Sequence, residues 1–71
     1  MVHGVNFCVK GIEKPIMSLT GMSASFLPEV GDVVYLDDYK SINKFRILGR
    51  TFVYRRDSVT ALYDVEQVKQ I

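Results

Sequence analysis

Cysteine, histidine and long apolar runs are scarce in this 71-residue chain, and each shortage excludes a class of protein. Cys8 is the single cysteine, which excludes an internal disulfide and a multi-cysteine zinc site. Small secreted domains usually carry disulfides, so the single thiol favours a reducing, cytoplasmic setting. No segment approaches the roughly 18 consecutive apolar residues of a membrane-spanning helix. The first residues also lack the basic stretch and apolar run of a signal peptide.

The chain is short as well, and its length bounds the fold. Residues 1–71 are enough for one domain, but not for a doubly wound nucleotide-binding fold or a barrel of eight βα units. An apolar content of 48% and a net charge of +1 exclude a disordered chain. One core of this size contributes only about 3–5 kcal/mol, so self-association is a reasonable way to bury more apolar surface.

Residue types favour strands over helices. Alanine occurs only at Ala24 and Ala61, whereas β-branched and aromatic residues are abundant. Val5, Phe7 and Val9 alternate with polar or small residues, which is the period of a half-buried strand. Five strands are predicted, over residues 2–10, 16–19, 33–36, 42–55 and 59–66. A short helical turn is an alternative within residues 16–27 and at the C-terminus, where Val68 and Ile71 are three residues apart.

Two glycines predict specific backbone features. Pro28, Gly31 and Asp32 together predict a turn, because proline presets φ, glycine accepts positive φ and aspartate bonds its own backbone. Gly49 stands alone inside a strand pattern, which predicts a bulge or sharp bend. The predicted fold is therefore all-β: a small antiparallel five-stranded SH3-like barrel or a strongly bent sheet.

Two strings carry a resemblance to known barrels. Residues 27–36, with the sequence LPEVGDVVYL, resemble the Pro-x-x-Gly-Asp-x-Val turn and strand of SH3-like barrels, including those of translation factors, ribosomal proteins and co-chaperonins. Residues 45–54 look like the bent central hairpin of the same barrels. The chain also resembles small single-domain proteins of bacterial mobile elements, phage or gene cassettes. That likeness implies a bacterial origin and a possible oligomer, and it implies no activity.

Residues capable of catalysis or metal binding are few. His3 and Cys8 form at most a weak zinc or nucleophile pair, and we favour a frayed histidine and a half-buried thiol. An acidic stretch is compatible with cation binding or acid–base chemistry, but neighbouring acids in turns are usually only solvated. Its members are Glu29, Asp32, Asp37 and Asp38. We therefore predict no catalytic residues, no metal, no cofactor and no enzymatic activity.

Positive charge is concentrated in the second half of the chain. Residues 40–56 hold six bases and no acid, interleaved with aromatic residues. Such a segment is typical of a nucleic-acid surface, in which bases neutralise phosphates and rings stack. It is equally compatible with pairing to the acidic stretch, either in a second subunit or within the same one. We expect Lys44 and Arg46 to share a face, which Arg50 joins across the bend. The candidate binding residues are Lys44, Arg46, Arg50, Tyr54, Arg55 and Arg56.

Apolar residues exceed what one face of a five-stranded sheet can bury. Around Val53 and Leu62 they occur on both faces, so a loop, the tail or another subunit must cover the second set. Met17 and Met22 are candidates for such a cover. The prediction is a non-enzymatic binding or interaction module that forms a homo-oligomer, with a dimer favoured over another protein partner. A nucleic-acid-binding barrel is the alternative, and no membrane association is expected.

Overall fold

The computed structural model describes residues 2–37 and 39–69, whose regular structure is almost entirely strand. The fold is therefore all-β, as predicted. Within residues 16–27 both alternatives occur in part, since the strand Met17–Met22 is followed by one 3-10 turn at Ala24–Phe26. Part of the C-terminal alternative lies outside the described residues. The elements are β1 Val2–Val9, β2 Met17–Met22, the 3-10 helix Ala24–Phe26, β3 Val33–Asp37, β4 Ile42–Tyr54 and β5 Val59–Gln67.

The strands form one sheet in the order β2-β1-β5-β4-β3, curled into a half-barrel. Three neighbouring pairs are antiparallel, but β1 and β5 run parallel, with Val5 beside Ala61 and Phe7 beside Tyr63. The prediction of a purely antiparallel sheet was wrong for this pair. The first and last strands are joined by the whole intervening chain, which is long enough to return and pair in parallel. β2 and β3 are the two edges of the sheet.

The predicted bulge lies in the middle of β4. Ile47 pairs with Val65 and Gly49 pairs with Asp64, so Leu48 is the extra residue. A Cβ atom at Gly49 would lie 3.3 Å from the Oδ2 of Asp64, an exposed side chain that would have to shift slightly to accept it. The extra residue shifts the side-chain alternation by one. Before the bulge the odd-numbered residues of β4, such as Phe45 and Ile47, face the core. After it the even-numbered residues, such as Phe52, lie on the core side.

Core side chains lie on the concave face of the half-barrel. Tyr63 and Val5 are fully buried, and the ring of Tyr63 stacks on Phe7 with centroids 5.3 Å apart. Met17 and Met22, predicted as a cover for a second apolar face, are half-buried and pack against this same core. The buried apolar residues are Val2, Val5, Phe7, Leu36, Phe45, Ile47, Ala61, Tyr63 and Val65.

The connection from β2 to β3 lies over one end of this concave face. The Pro28 carbonyl accepts a 2.7 Å hydrogen bond from the Tyr63 hydroxyl. Gly31, at a φ of 96°, donates its N–H to the Ile47 carbonyl at 2.9 Å. Asp32 accepts the Glu29 N–H through its side chain at 2.8 Å. These bonds confirm the turn predicted from proline, glycine and aspartate, and they fix it to β4 just before the bulge.

Candidate interaction surface

The six candidate binding residues do not form one surface. Lys44 and Arg46 share the convex face, as expected, because they pair with Tyr35 and Val33 of β3. Arg50 pairs with Tyr63, a core residue, and so lies on the concave side. The expectation that Arg50 joins the other two bases was wrong, because the bulge at Leu48 reverses the alternation between positions 46 and 50.

Arg50 contacts two groups of its own chain, the Pro28 carbonyl and the Phe52 ring. Its guanidinium donates to the Pro28 carbonyl at 3.3 Å, the same oxygen that Tyr63 binds. The guanidinium carbon also lies 5.2 Å from the centroid of the Phe52 ring, within cation–π range. These contacts hold the guanidinium near the covering turn on the concave side, and the residue remains exposed to solvent.

The remaining candidates separate into two groups. Tyr54, Arg55 and Arg56 are exposed at the turn between β4 and β5, where the Arg55 N–H donates to the Ser58 carbonyl at 2.8 Å. Arg46 lies 3.7 Å from Glu66 of the neighbouring strand, and both side chains are about half exposed. Pairing of acid and base within the subunit therefore holds for Arg46, although an exposed pair of this kind stabilises little.

Three of the candidate metal or catalytic residues, His3, Asp32 and Asp37, accept hydrogen bonds from backbone N–H groups. His3 is not frayed: its Nδ1 accepts the Val59 N–H at 3.1 Å. Asp37 accepts the Tyr39 N–H at 2.8 Å, which closes a local turn in which Tyr39 has a φ of 73°. Within the described residues, no three His, Cys, Asp or Glu side chains are grouped so as to hold a metal ion. Asp38 lies outside the described residues.

Edge strand β3 presents backbone groups that the sheet does not use. The Ile47 N–H donates to the Asp32 carbonyl at 2.9 Å, which sets the hydrogen-bonding alternation along the antiparallel pair. Val34 and Leu36 therefore bond toward β4. The N–H and C=O groups of Val33, Tyr35 and Asp37 point away from the sheet.

The side chains of this edge are apolar on both faces. Val34 and Leu36 face the core, whereas Val33 and Tyr35 lie on the convex face with 43% and 61% of their surface exposed. Ile42 of β4, on the same face, is 61% exposed. We call Val33, Tyr35 and Ile42 the edge patch. Exposed apolar patches on small proteins often mark binding surfaces.

Of the two edges, β3 has the more regular backbone, although it is only five residues long and ends at the charged Asp37. β2 contains Gly21 at a φ of 68° and follows Pro15, and both irregular backbone and proline discourage pairing with another chain. Residues 33–37 contain no proline and no lysine, and their register with β4 is uninterrupted. A regular and mostly apolar edge of this kind is a template for pairing with a further strand.

Comparisons with protein-family models, curated proteins and solved structures find no match to this chain. Function is therefore inferred from the geometry of the surface. No helix among the described residues is long and apolar enough to cross a membrane.

A pocket of about 200 Å³ remains at the end of the concave face that the covering turn leaves open. Its apolar wall joins the two edges of the sheet, and the Gln67 Nε2 donates to the Asn43 Oδ1 at 3.2 Å on its polar side. Sequence patterns did not identify either amide, because these two residues meet only through the pairing of β4 with β5. The lining residues are Val9, Ile12, Ile16, Met17, Leu36, Asn43, Phe45 and Gln67.

Proposed function

We propose that this protein is a non-enzymatic interaction module that works as a homodimer through the edge of β3. The observation that carries the proposal is an edge strand with outward-pointing backbone groups, apolar side chains on both faces, and no proline, lysine or bulge. The small core supports the same conclusion, since a chain of this length gains stability by burying further apolar surface.

We further propose that the fold is related to SH3-like barrels and that the protein works in the cytoplasm. The turn before β3 and the bent β4 support an SH3-like relationship, and the parallel pairing of β1 with β5 distinguishes this half-barrel from the antiparallel sheet predicted. The single cysteine, half-buried on β1, supports a reducing cytoplasmic setting.

Self-association is expected to depend on Tyr35. At about 100 μM the protein should elute as a dimer by size exclusion with mass detection. Tyr35→Lys places a charge on the edge and should weaken association at least about tenfold, which corresponds to about 1.4 kcal/mol. Tyr54→Lys is the matched control, because Tyr54 is 75% exposed but lies at the far turn.

Two results would count against this role for β3. A wild-type protein that stays monomeric at that concentration excludes the dimer. An equal loss of association in Tyr35→Lys and Tyr54→Lys means that β3 is not the contact. Far-ultraviolet circular dichroism shows whether each variant keeps its strands.

Nucleic-acid binding is the second candidate function. Lys44 and Arg46 lie beside Tyr35 on the convex face, a combination of bases and an exposed ring that suits phosphates and nucleobases. A second basic group, with Tyr54, Arg55 and Arg56, occupies the β4–β5 turn. The edge patch argues against nucleic-acid binding at this face, because it places exposed apolar side chains between Lys44 and Arg46 and the edge of the sheet.

Fluorescence anisotropy with mixed-sequence single- and double-stranded oligonucleotides tests this second function. Non-specific binding has a dissociation constant of about 10⁻⁴–10⁻⁶ M at physiological salt and tightens steeply as salt is lowered. Lys44→Ala with Arg46→Ala should weaken it and flatten the salt dependence. Lys10→Ala with Lys14→Ala removes the same charge elsewhere and should have less effect. Absence of binding at low salt removes this candidate.

A further inference from the structure

We infer that two copies pair β3 to β3 in antiparallel register, with a two-fold axis at Tyr35. This inference rests on the proposed self-association and specifies its geometry. Tyr35 is the central residue of Val33–Asp37, so each copy would place Tyr35 opposite Tyr35 of the second copy. The result is one continuous ten-stranded sheet built from two half-barrels.

Backbone hydrogen bonding favours this register. The outward-pointing residues are Val33, Tyr35 and Asp37, spaced by two along the strand. An axis at Tyr35 pairs all three outward-pointing residues. Tyr35 then lies opposite Tyr35 of the second copy, and Val33 of each copy lies opposite Asp37 of the other. Three hydrogen-bonded pairs supply six N–H to carbonyl bonds. A shift of the axis by one residue in either direction matches only two of the three.

The side chains are self-complementary in the same register. On the concave face Val34 lies opposite Leu36 of the second copy, so apolar side chains meet apolar side chains. On the convex face the two Tyr35 rings are neighbours at the axis, and cross-strand aromatic pairs stabilise sheets. The Tyr35 rings of the two edge patches thereby become neighbours, and each Val33 lies beside Asp37 of the second copy.

Charge also complements across the axis. Asp37 of one copy shares a row with Val33 of the second copy, which pairs with Arg46 in its own subunit. Strands are about 4.8 Å apart, so Asp37 and Arg46 of the second copy are separated by about 9.6 Å at the backbone. In the single chain Arg46 lies 3.7 Å from Glu66 on the opposite side, so its side chain would leave Glu66 and extend over the short valine toward the carboxylate, which closes most of that distance. Each dimer would contain two such pairs, one on each side of the axis.

This arrangement distinguishes a second copy from an unrelated peptide. An arbitrary strand supplies backbone groups, but it does not supply an arginine two strands away from each Asp37. Asp37 and Arg46 would thus meet between subunits, whereas within each single chain Arg46 lies beside Glu66.

Cysteine cross-linking tests the register directly. In a Cys8→Ser background, Tyr35→Cys should form a disulfide-linked dimer under mild oxidation. Opposed Cα atoms in a hydrogen-bonded antiparallel pair are about 5.5 Å apart, within the range of a disulfide. Val33→Cys is the matched control on the same face, because the axis separates its two copies by about 13 Å along the strands. Leu19→Cys places the thiol on the other edge, β2.

Charge reversal tests the ion pairs independently of the thiols. Asp37→Arg and Arg46→Asp should each weaken self-association at least about tenfold. An equimolar mixture of the two variants should restore it as a heterodimer, because each new arginine then meets a new aspartate and each original pair is kept. Sedimentation velocity on the separate and mixed variants provides the measurement.

The outcomes separate this inference from the proposed function. A monomeric wild type overturns both. A dimer that cross-links through Leu19→Cys or Val33→Cys but not through Tyr35→Cys overturns this pairing and leaves self-association standing. A mixture that associates no better than its separate components overturns the charge complementarity. Efficient linkage at position 35 with restoration in the mixture supports the pairing described.

Discussion

Replacement of Tyr63 by alanine is expected to unfold the protein at room temperature. Tyr63 is fully buried in β5, stacks on Phe7 and donates its hydroxyl to the Pro28 carbonyl. Truncation of a large buried aromatic side chain to alanine costs about 3–5 kcal/mol. A single core of this size supplies about the same amount, so little or no net stability should remain. Urea titration followed by far-ultraviolet circular dichroism measures the loss.

Tyr63→Phe separates the ring from the hydroxyl. The ring stays in place against Phe7, and the Pro28 carbonyl keeps its bond from Arg50. The expected cost is therefore only that of one hydrogen bond, about 1 kcal/mol. Tyr63→Phe combined with Arg50→Met removes both donors and should cost more than the two single changes together. If Tyr63→Ala were no more destabilising than Tyr63→Phe, the core would not depend on this ring.

Local features of the fold followed from local chemistry. The turn at Pro28–Asp32 needs a residue that accepts positive φ next to one that bonds its own backbone, and both requirements are visible in five consecutive residues. Gly49 marks the bulge because a glycine weakens the interior of a strand and is typically found there where the backbone bends. Most strand positions followed from alternation, since one face of each strand is packed and the other meets solvent. The exception is β2, which continues to Met22 beyond the predicted residues 16–19.

Long-range features did not follow, and the reason is physical. Which strands become neighbours depends on packing and hydrogen bonding between segments that are far apart in the chain. The alternation of Val5, Phe7 and Val9 is the same whether β1 pairs in parallel or antiparallel, so the parallel pair with β5 left no local signal. Closely spaced strands with turns between them suggested an antiparallel sheet. The sheet instead joins its first and last strands at the centre.

For the candidate surface too, local sequence predicted some features, whereas others depend on the strand order and the bulge. Charge counts located a basic segment, but its division between two faces depends on one extra residue, Leu48. A bulge was expected there, yet its effect on Arg50 requires knowing that the alternation resumes with opposite parity. The proposed contact edge was missed because β3 is recognisable as an edge only when the strand order is known. Its composition alone, Val33–Asp37, is equally suited to a central strand.

Val5→Asp is expected to be as damaging as the loss of Tyr63, for a different reason. Val5 is fully buried in β1, between Leu19 of β2 and Ala61 of β5. A carboxylate there is surrounded by apolar side chains and loses its hydration without gaining a partner. Leaving a buried charge uncompensated costs about 3–5 kcal/mol, so the variant should be largely unfolded at neutral pH. Asn6→Asp, one residue further on the convex face, is the matched control and should cost less than about 1 kcal/mol.

The pH dependence of Val5→Asp identifies the cause. Burial disfavours the charged form, so the introduced carboxyl has a higher pKa in the folded chain than its value of about 3.9 in the unfolded chain. The folded state then binds the proton more tightly, and stability is lost as pH rises from about 4 through the raised pKa. Acidification to about pH 4 should therefore restore strand structure in Val5→Asp relative to wild type, whereas Asn6→Asp should follow the wild-type curve. A Val5→Asp protein that is as stable as wild type at neutral pH would place position 5 in contact with water and contradict the parallel β1–β5 core.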